Sequence, residues 1–351
     1  MTSPSVQIDL SALVENWRML GRRAAPAEAA AVVKADAYGL GAARVAQALA
    51  KAGCRRFYVA WPSEGVEVRK ALGPGPSIAV FHGPARDALA LFGAAKLEPV
   101  LNSIDQIRLW IAAGAGPAAL HVDTGMSRLG LSEADWRAAA IAWPAPSLLV
   151  SHLACADEAG GAIKNQTQLD ALGRAGAFWP TSRRSLSATA GVYLGPRYAL
   201  DEIRPGIGLY GGGPVPTDGD APQAVVTLRA PILQVRDIDA GETIGYGATF
   251  TASRRHTLAT VGIGYADGFL RAASNRGYGV IRGVRRPILG RVSMDLIVLD
   301  VTGVSAMVGD EVELMGANLP LRDQAEAMGT IDYELLTRLG RRIRRNYVGG
   351  A

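Results

Sequence analysis

A single lysine, Lys34, closes the apolar run of AVVKADAYGLG at residues 31–41, just before a Gly-punctuated turn that opens a helical segment. A strand end holds an amine rigidly, and an apolar wall disfavours its charged form and so lowers its pKa. A lysine in that setting can form a Schiff base with an aldehyde. Tyr38 lies four residues on, where its hydroxyl could reach an anion near the start of the helix. Other polar signals follow later apolar runs: Asp123 and Arg128 in HVDTGMSRLG (121–130), His152 near the end of another run, Thr189 in LSATAG (186–191), and Arg204, Gly206 and Ile207 in IRPGIGLYG (203–211). The Thr189 hydroxyl with the backbone N–H groups of Gly206 and Ile207, in a glycine-opened turn, is the equipment that a phosphate monoester needs.

These residues need a frame, and the chain supplies eight short apolar runs: Ala29 to Lys34, Arg56 to Ala60, Ser77 to His82, Leu97 to Leu101, Ala118 to Asp123, Ser147 to Leu153, Arg184 to Ala188 and Asp201 to Arg204. Segments of helical period lie between most of them. Ser63 to Leu72, Ser103 to Ala113 and Ser132 to Trp143 read as helices with serine N-caps, the third with Asp135 in its first turn. Eight strand-then-helix units in about two hundred residues argue for a parallel (β/α)8 barrel of the TIM type. In such a barrel the chemistry sits at the C-terminal strand ends, with phosphates at the loops after the last two. The runner-up, an open doubly wound sheet, lacks its Gly-rich fingerprint after a first strand.

Residues 211–223, GGGPVPTDGDAPQ, have the composition of a linker. Beyond it Val225 to Asp237, Leu258 to Gly264, Tyr278 to Ile281, Pro287 to Val292, Leu296 to Val301 and Glu311 to Met315 read as strands, with helices at Leu321 to Met328 and Tyr333 to Leu339. The expected division is a barrel over residues 1–222 and a mostly β domain over 223–351, with a strand near residues 5–9 free to pack on the second domain.

The 351 residues suffice for about two domains, and the formal net charge of +5 is small for that size. Arg341, Arg342, Arg344 and Arg345 form the only basic cluster; without interleaved aromatics or a binding motif it reads as a solvated helix end, not a nucleic-acid site. Cys54 and Cys155 are far apart and lack ligand spacing, so neither a disulfide framework nor a metal site is expected. MTSPSVQIDL has no basic region followed by an apolar one, and the nearly uncharged stretch Ala138 to Ala156 is broken by Pro144 and Pro146. The reading is a cytoplasmic chain with no membrane span.

From about Val6 to Val348 the sequence resembles the alanine racemases, fold-type III pyridoxal-phosphate enzymes. The resemblance rests on KADAYGLG, VDTGMSRLG, RPGIGLYG, YGATF, GYADGF and GRVSMD in the family's order. It implies that Lys34 bears pyridoxal 5'-phosphate, that Tyr38, Thr189, Gly206, Ile207 and Tyr333 hold the phosphate, that Arg204 faces the pyridine nitrogen, and that His152 stands beside it. It implies Tyr246 as the second catalytic residue, supplied by the partner in a homodimer, with Tyr265, Met294 and Asp295 of that partner lining the substrate entrance. Arg128 and Met294 would contact the substrate alanine. Removing the α-proton from one face and returning it on the other needs two acid/base groups, and a lysine and a tyrosine satisfy that. Ser293, Asp36 and Asp267 are read as structural.

The sequence departs from the family at His121, where many members carry a lysine, sometimes carbamylated, that orients the arginine at Arg128. Thr189 stands where serine is usual, and Ala188 precedes it instead of a common asparagine. The implied activity is an isomerase supplying D-alanine for peptidoglycan or assisting its catabolism. The alternatives are a racemase of broader specificity, such as for serine, a fold-type III decarboxylase, and a non-enzymatic pyridoxal-phosphate carrier. The entrance set of Tyr265, Met294 and Asp295 suits a small substrate, and a carrier would lack the region from Gln223 to Tyr347.

Overall fold

The structure, a computed structural model, describes residues 3–114, 116–214, 216 and 220–350. Each of the eight apolar runs overlaps a parallel strand, two of which begin one residue early, at Glu28 and Arg183. The first is split into Glu28–Ala29 and Ala31–Val32; then follow Arg56–Val59, Ser77–Val80, Glu98–Leu101, Ala119–His121, Leu148–Val150, Arg183–Ser185 and Glu202–Ile203. Each of the first six pairs with the next in chain order. The last strand closes the ring: Glu202 and Ile203 pair with Glu28 and Ala29, and the N–H of Val32 donates to the carbonyl of Pro205 at 3.0 Å. On its other side the N–H of Arg204 donates to the carbonyl of Ser187 at 2.8 Å. An open sheet could not pair its first and last strands, so the fold is a (β/α)8 barrel.

Strands covered on both faces read as continuous apolar runs, and Phe57, Val59, Ile78, Val80, Val100, Leu120 and Leu149 are buried. The strand starts carry a network of charges. Arg56 pairs with Glu98 across 2.9 Å and lies 3.5 Å from Glu202, whose other oxygen accepts the Tyr58 hydroxyl at 2.5 Å. This network ties strands two, four and eight together at the end remote from Lys34.

The helix after strand four, Ile104–Ala112, has the expected cap, the Ser103 hydroxyl accepting the N–H of Gln106 at 3.2 Å. The helix after strand two runs Pro62–Leu72, so Ser63 lies inside it and is not its cap. Proline is at home in a first turn, and the Glu64 carboxylate satisfies the N–H groups of Ala60 and Trp61 at 2.8 and 3.0 Å. The third helix is only Trp136–Ala142, after a 3-10 turn at Glu133–Asp135 in which Asp135 accepts the Ser132 hydroxyl.

The chain divides into two units, one of Val14–Leu209 with Gly213–Pro222, the other of the residues up to Leu13, Tyr210–Gly212 and the chain from Gln223 onward. In the second unit a long strand, Val226–Ile238, pairs with Ser5–Asp9, His256–Val261 and Glu311–Met315. Ser5–Asp9 also pairs in parallel with Arg344–Val348. That strand corrects the reading of the basic cluster as a helix end: Arg344 and Arg345 lie in a sheet, and Arg342 is held in ion pairs. The expected strand at Pro287 to Val292 is displaced to Val284–Pro287, which pairs with Tyr278–Ile281 across Arg282–Gly283. Both turn residues have positive φ, +48° and +76°, as a two-residue hairpin requires. Helices form at Leu321–Met328 and Asp332–Thr337. Residues 215 and 217–219 of the expected linker lie outside the described residues; the rest of it forms no helix or strand. Among the described residues no helix is long and apolar enough to cross a membrane.

Candidate active site

Lys34 follows the first strand, and the chain then makes a turn of left-handed helix. Ala35, Asp36, Ala37 and Tyr38 all have φ between +52° and +57°. Left-handed backbone costs a non-glycine residue about 1–2 kcal/mol, so four in a row hold about 4–8 kcal/mol of strain that neighbouring bonds must over-determine. They do so at several points. The N–H of Ala37 donates to the carbonyl of Val33 at 2.9 Å, that of Gly41 to the carbonyl of Asp36 at 2.9 Å, and that of Ala42 to the Asp36 carboxylate at 2.7 Å. Asp36 is thus structural, as expected. The right-handed helix begins only at Ala42.

The Lys34 amine sits 5.8 Å from the centre of the Phe81 ring. Burial lowers its pKa from the usual value for lysine; the Arg128 charge lowers it further and Glu64 opposes the shift. Depressed lysines of this kind are the ones that act as bases or form Schiff bases.

Strands seven and eight end in a second feature. The Thr189 hydroxyl accepts the N–H groups of Gly206 and Gly208, each at 3.1 Å. A Cβ on Gly206 would collide with the buried Tyr38 hydroxyl, and one on Gly208 with the Thr189 side chain. The four residues therefore converge, and only glycine permits it at 206 and 208. Thr189 opens the four-residue helical turn Thr189–Val192, and Ile207 opens the 3-10 turn Ile207–Tyr210. Gly208 went unremarked in the sequence, where the GIG spacing was the available signal.

Arg204 is buried at the eighth strand end and donates to the Ser185 hydroxyl and to the carbonyls of Ser151 and Leu186, all neutral acceptors. Burial, then the charges of Arg204, Arg128 and Lys34, push His152 down to about 3. It is a neutral imidazole at physiological pH. His121 is pushed down to about 4 by burial and then by Arg204. Its Nδ1 lies 2.7 Å from the Asn102 side-chain oxygen, and the Asn102 amide nitrogen donates to the carbonyls of Phe81 and Val100, both at 2.9 Å. The Asn102 oxygen is then an acceptor only, so His121 carries its proton on Nδ1 and a lone pair on Nε2. His121 spends its hydrogen bond on Asn102, not on Arg128. Arg128 is exposed and makes no hydrogen bond or ion pair with another described residue, yet its charge acts on Lys34, His82, His121 and His152. Asp123 turns away from it: one oxygen collects the N–H groups of Gly125, Met126 and Ser127 at 2.8, 2.9 and 3.2 Å. That shapes the loop and holds the Asp123 carboxyl below its usual range against the opposing effect of burial.

The remaining expected residues belong to the second unit. Tyr246 is 71% exposed and Tyr265 43%, so neither is a core aromatic. Met294 is also exposed, and Tyr333 lies at the start of the helix Asp332–Thr337, partly exposed. The backbone N–H of Tyr265 donates to the carbonyl of Ser293 at 3.1 Å, which puts Tyr265 and Met294 on adjoining loops. Arg342 joins those loops by bridging Asp267 at 2.9 Å and Asp295 at 2.7 Å.

The closed parallel barrel thus carries a desolvated lysine at its mouth and a hydroxyl-and-amide cradle after its last two strands. Two family models divide the chain, "Alanine racemase, N-terminal domain" over residues 8–214 and "Alanine racemase, C-terminal domain" over residues 225–347. Proteins named alanine racemase from Cereibacter sphaeroides and Dinoroseobacter shibae are 47% and 46% identical over 351 and 354 residues, covering 99% and 100% of this chain and 99% of each relative. Among solved structures, alanine racemase from Bartonella henselae with covalently bound pyridoxal phosphate superposes with a TM-score of 0.93 at 38% identity, covering 99% of this chain and 100% of that one. The biosynthetic alanine racemase from Pseudomonas aeruginosa gives 0.92 at 36%, with the same coverage. The chain belongs to the alanine racemase family of isomerases.

Proposed function

We propose that the protein interconverts L-alanine and D-alanine with pyridoxal 5'-phosphate, using Lys34 and Tyr246 as its two acid/base groups. The observation that carries this reading is the pairing, on one barrel rim, of a lysine with a lowered pKa and the Thr189–Gly206–Gly208–Tyr38 cradle. The residues present fit the cofactor. Tyr38, Thr189, Gly206 and Ile207, with Tyr333, would hold its phosphate, and Lys34 its aldehyde carbon. When bound, the cofactor supplies the electron sink that makes the α-proton removable.

The chain's own residues do the rest. Lowering the Lys34 pKa raises the share of free amine near neutral pH, which suits a group that must take and return a proton. Tyr246, a phenol free of the core, serves the other face of the substrate. Arg204, a cation held by neutral acceptors, would face the pyridine nitrogen of the cofactor and disfavour its protonation, with neutral His152 beside it. That would leave a weaker sink, which would suppress side reactions. Arg128, without a hydrogen-bond or ion-pair partner among the described residues, binds the substrate carboxylate, and Met294 packs against the small side chain. Tyr265 and Asp295 guard the entrance.

In this reading residues 1–222 act as the cofactor barrel and 223–351 supply the second base, from the partner chain of a homodimer with shared sites. The setting is cytoplasmic, serving cell-wall synthesis or D-alanine catabolism. The test is direct. The purified protein should carry a visible absorbance that borohydride abolishes while fixing the cofactor on Lys34, and chiral chromatography should show D-alanine formed from L-alanine in preference to products from L-serine or L-lysine. A protein that stays colourless after incubation with the cofactor, or label on another lysine, would refute it.

A further inference from the structure

The left-handed turn after Lys34 is anchored by a residue that the sequence alone did not single out. The N–H of Ala35, the first peptide after Lys34, donates to Oε1 of Glu64 at 2.6 Å. The other oxygen of the same carboxylate accepts the N–H groups of Ala60 and Trp61 at 2.8 and 3.0 Å, where the second strand ends and its helix begins. Three backbone donors from two βα loops thus meet on one carboxylate. Among the charged groups that act on Lys34, Glu64 opposes the lowering by Arg128, and His82 and His152, after strands three and six, are themselves lowered by Lys34.

We infer that Glu64 is a positioning residue for Lys34: its carboxylate clamps the strained turn to the end of strand two, fixes the direction of the amine, and places a negative charge beside it. Two observations support the clamp. Every residue from Ala35 to Tyr38 has positive φ, so the turn needs an external partner at its first N–H. Glu64 also sits in the first turn of a helix beginning with Pro62, which gives its side chain a rigid base. Neutralising it to glutamine removes the charge and sets an amide NH2 against a backbone donor, so the clamp loses one of its sides.

The inference rests on Lys34 being the working amine, and borohydride fixation of the cofactor on Lys34 tests that separately on the loaded protein. Glu64 is tested on cofactor-free protein by competitive acetylation against pH, resolved by peptide, with exposed Lys96 as the internal control. Glu64→Gln should lower the midpoint of the Lys34 curve and raise its labelling at neutral pH by about threefold relative to Lys96, the effect of roughly half a pKa unit. A merely structural residue would change the melting temperature without moving Lys34 apart from Lys96. A folded Glu64→Gln protein whose Lys34 curve overlays that of the wild type overturns the proposal. Amide hydrogen exchange on the unmodified protein gives a readout that does not depend on the variant folding. The Ala35 amide should be protected alongside those of Ala60 and Trp61, and exchange of Ala35 at a free-loop rate would overturn the proposal equally.

Discussion

His152 and His121 show how a barrel mouth crowded with cations controls single protons. Each is desolvated and each sees Arg204 and Arg128, so the folded protein keeps both neutral down to about pH 3 and 4, whereas the unfolded chain protonates imidazole near 6.5. Between those limits the unfolded state binds protons that the folded state refuses. Stability is therefore fully present above pH 6.5 and falls as pH drops, by up to about 1.4 kcal/mol per pH unit for each histidine. His152→Gln, which removes one such group, should flatten the fall in urea stability between pH 6.5 and 5 by about that slope; parallel curves for variant and wild type would show that His152 takes a proton in the fold. At this scale the sequence was a fair guide to residue types: Lys34, Thr189, Arg204 and Gly206 stand at barrel strand ends as their motifs placed them. The partners were not legible. Asn102 fixes the tautomer of His121 from the end of the preceding strand, and Glu64 reaches Ala35 across 29 positions, with no short-range pattern to announce either.

At the scale of elements, legibility followed the physics of each segment. Barrel strands buried on both faces announce themselves as apolar runs, and all eight were found. The strand Val284–Pro287 was misplaced because Val-Arg-Arg-Pro sets two arginines side by side, one exposed and one half-buried against the Thr302 carbonyl, and leaves no alternation to read. The turn after Lys34 hid for the opposite reason: Ala-Asp-Ala-Tyr carries no glycine at its four left-handed positions, so local preference pointed to an ordinary helix start, and only tertiary bonds override it. The floor of the barrel is a third such case, since Arg56, Glu98 and Glu202 begin three strands and their pairing depends on closure. Burial pushes the Glu202 carboxyl up, and Arg56 together with the Tyr58 hydrogen bond works against that shift. Removing it leaves cations in a desolvated interior. Glu202→Ala should cost about 3–5 kcal/mol in urea unfolding, the range for breaking a buried ion pair on one side. A cost below about 1 kcal/mol would mean that Glu98 alone suffices for Arg56.

For the whole molecule, the two proposed bases lie in different units of the chain, Lys34 in the barrel and Tyr246 on an exposed turn of the β unit. On the proposed function, each working site joins one chain's barrel to the other chain's β unit. Such a site would make dimerisation a condition of activity. It also gives the measurement that tests the claim most directly, which is to mix two inactive variants, Lys34→Ala and Tyr246→Ala. A mixed dimer has one site with both bases and one with neither. Random reassortment makes half the dimers mixed, so activity should return to about a quarter of wild type once a tagged-subunit assay shows that exchange is complete. If exchange is complete and no activity returns, both bases belong to one chain and the shared-site account is wrong.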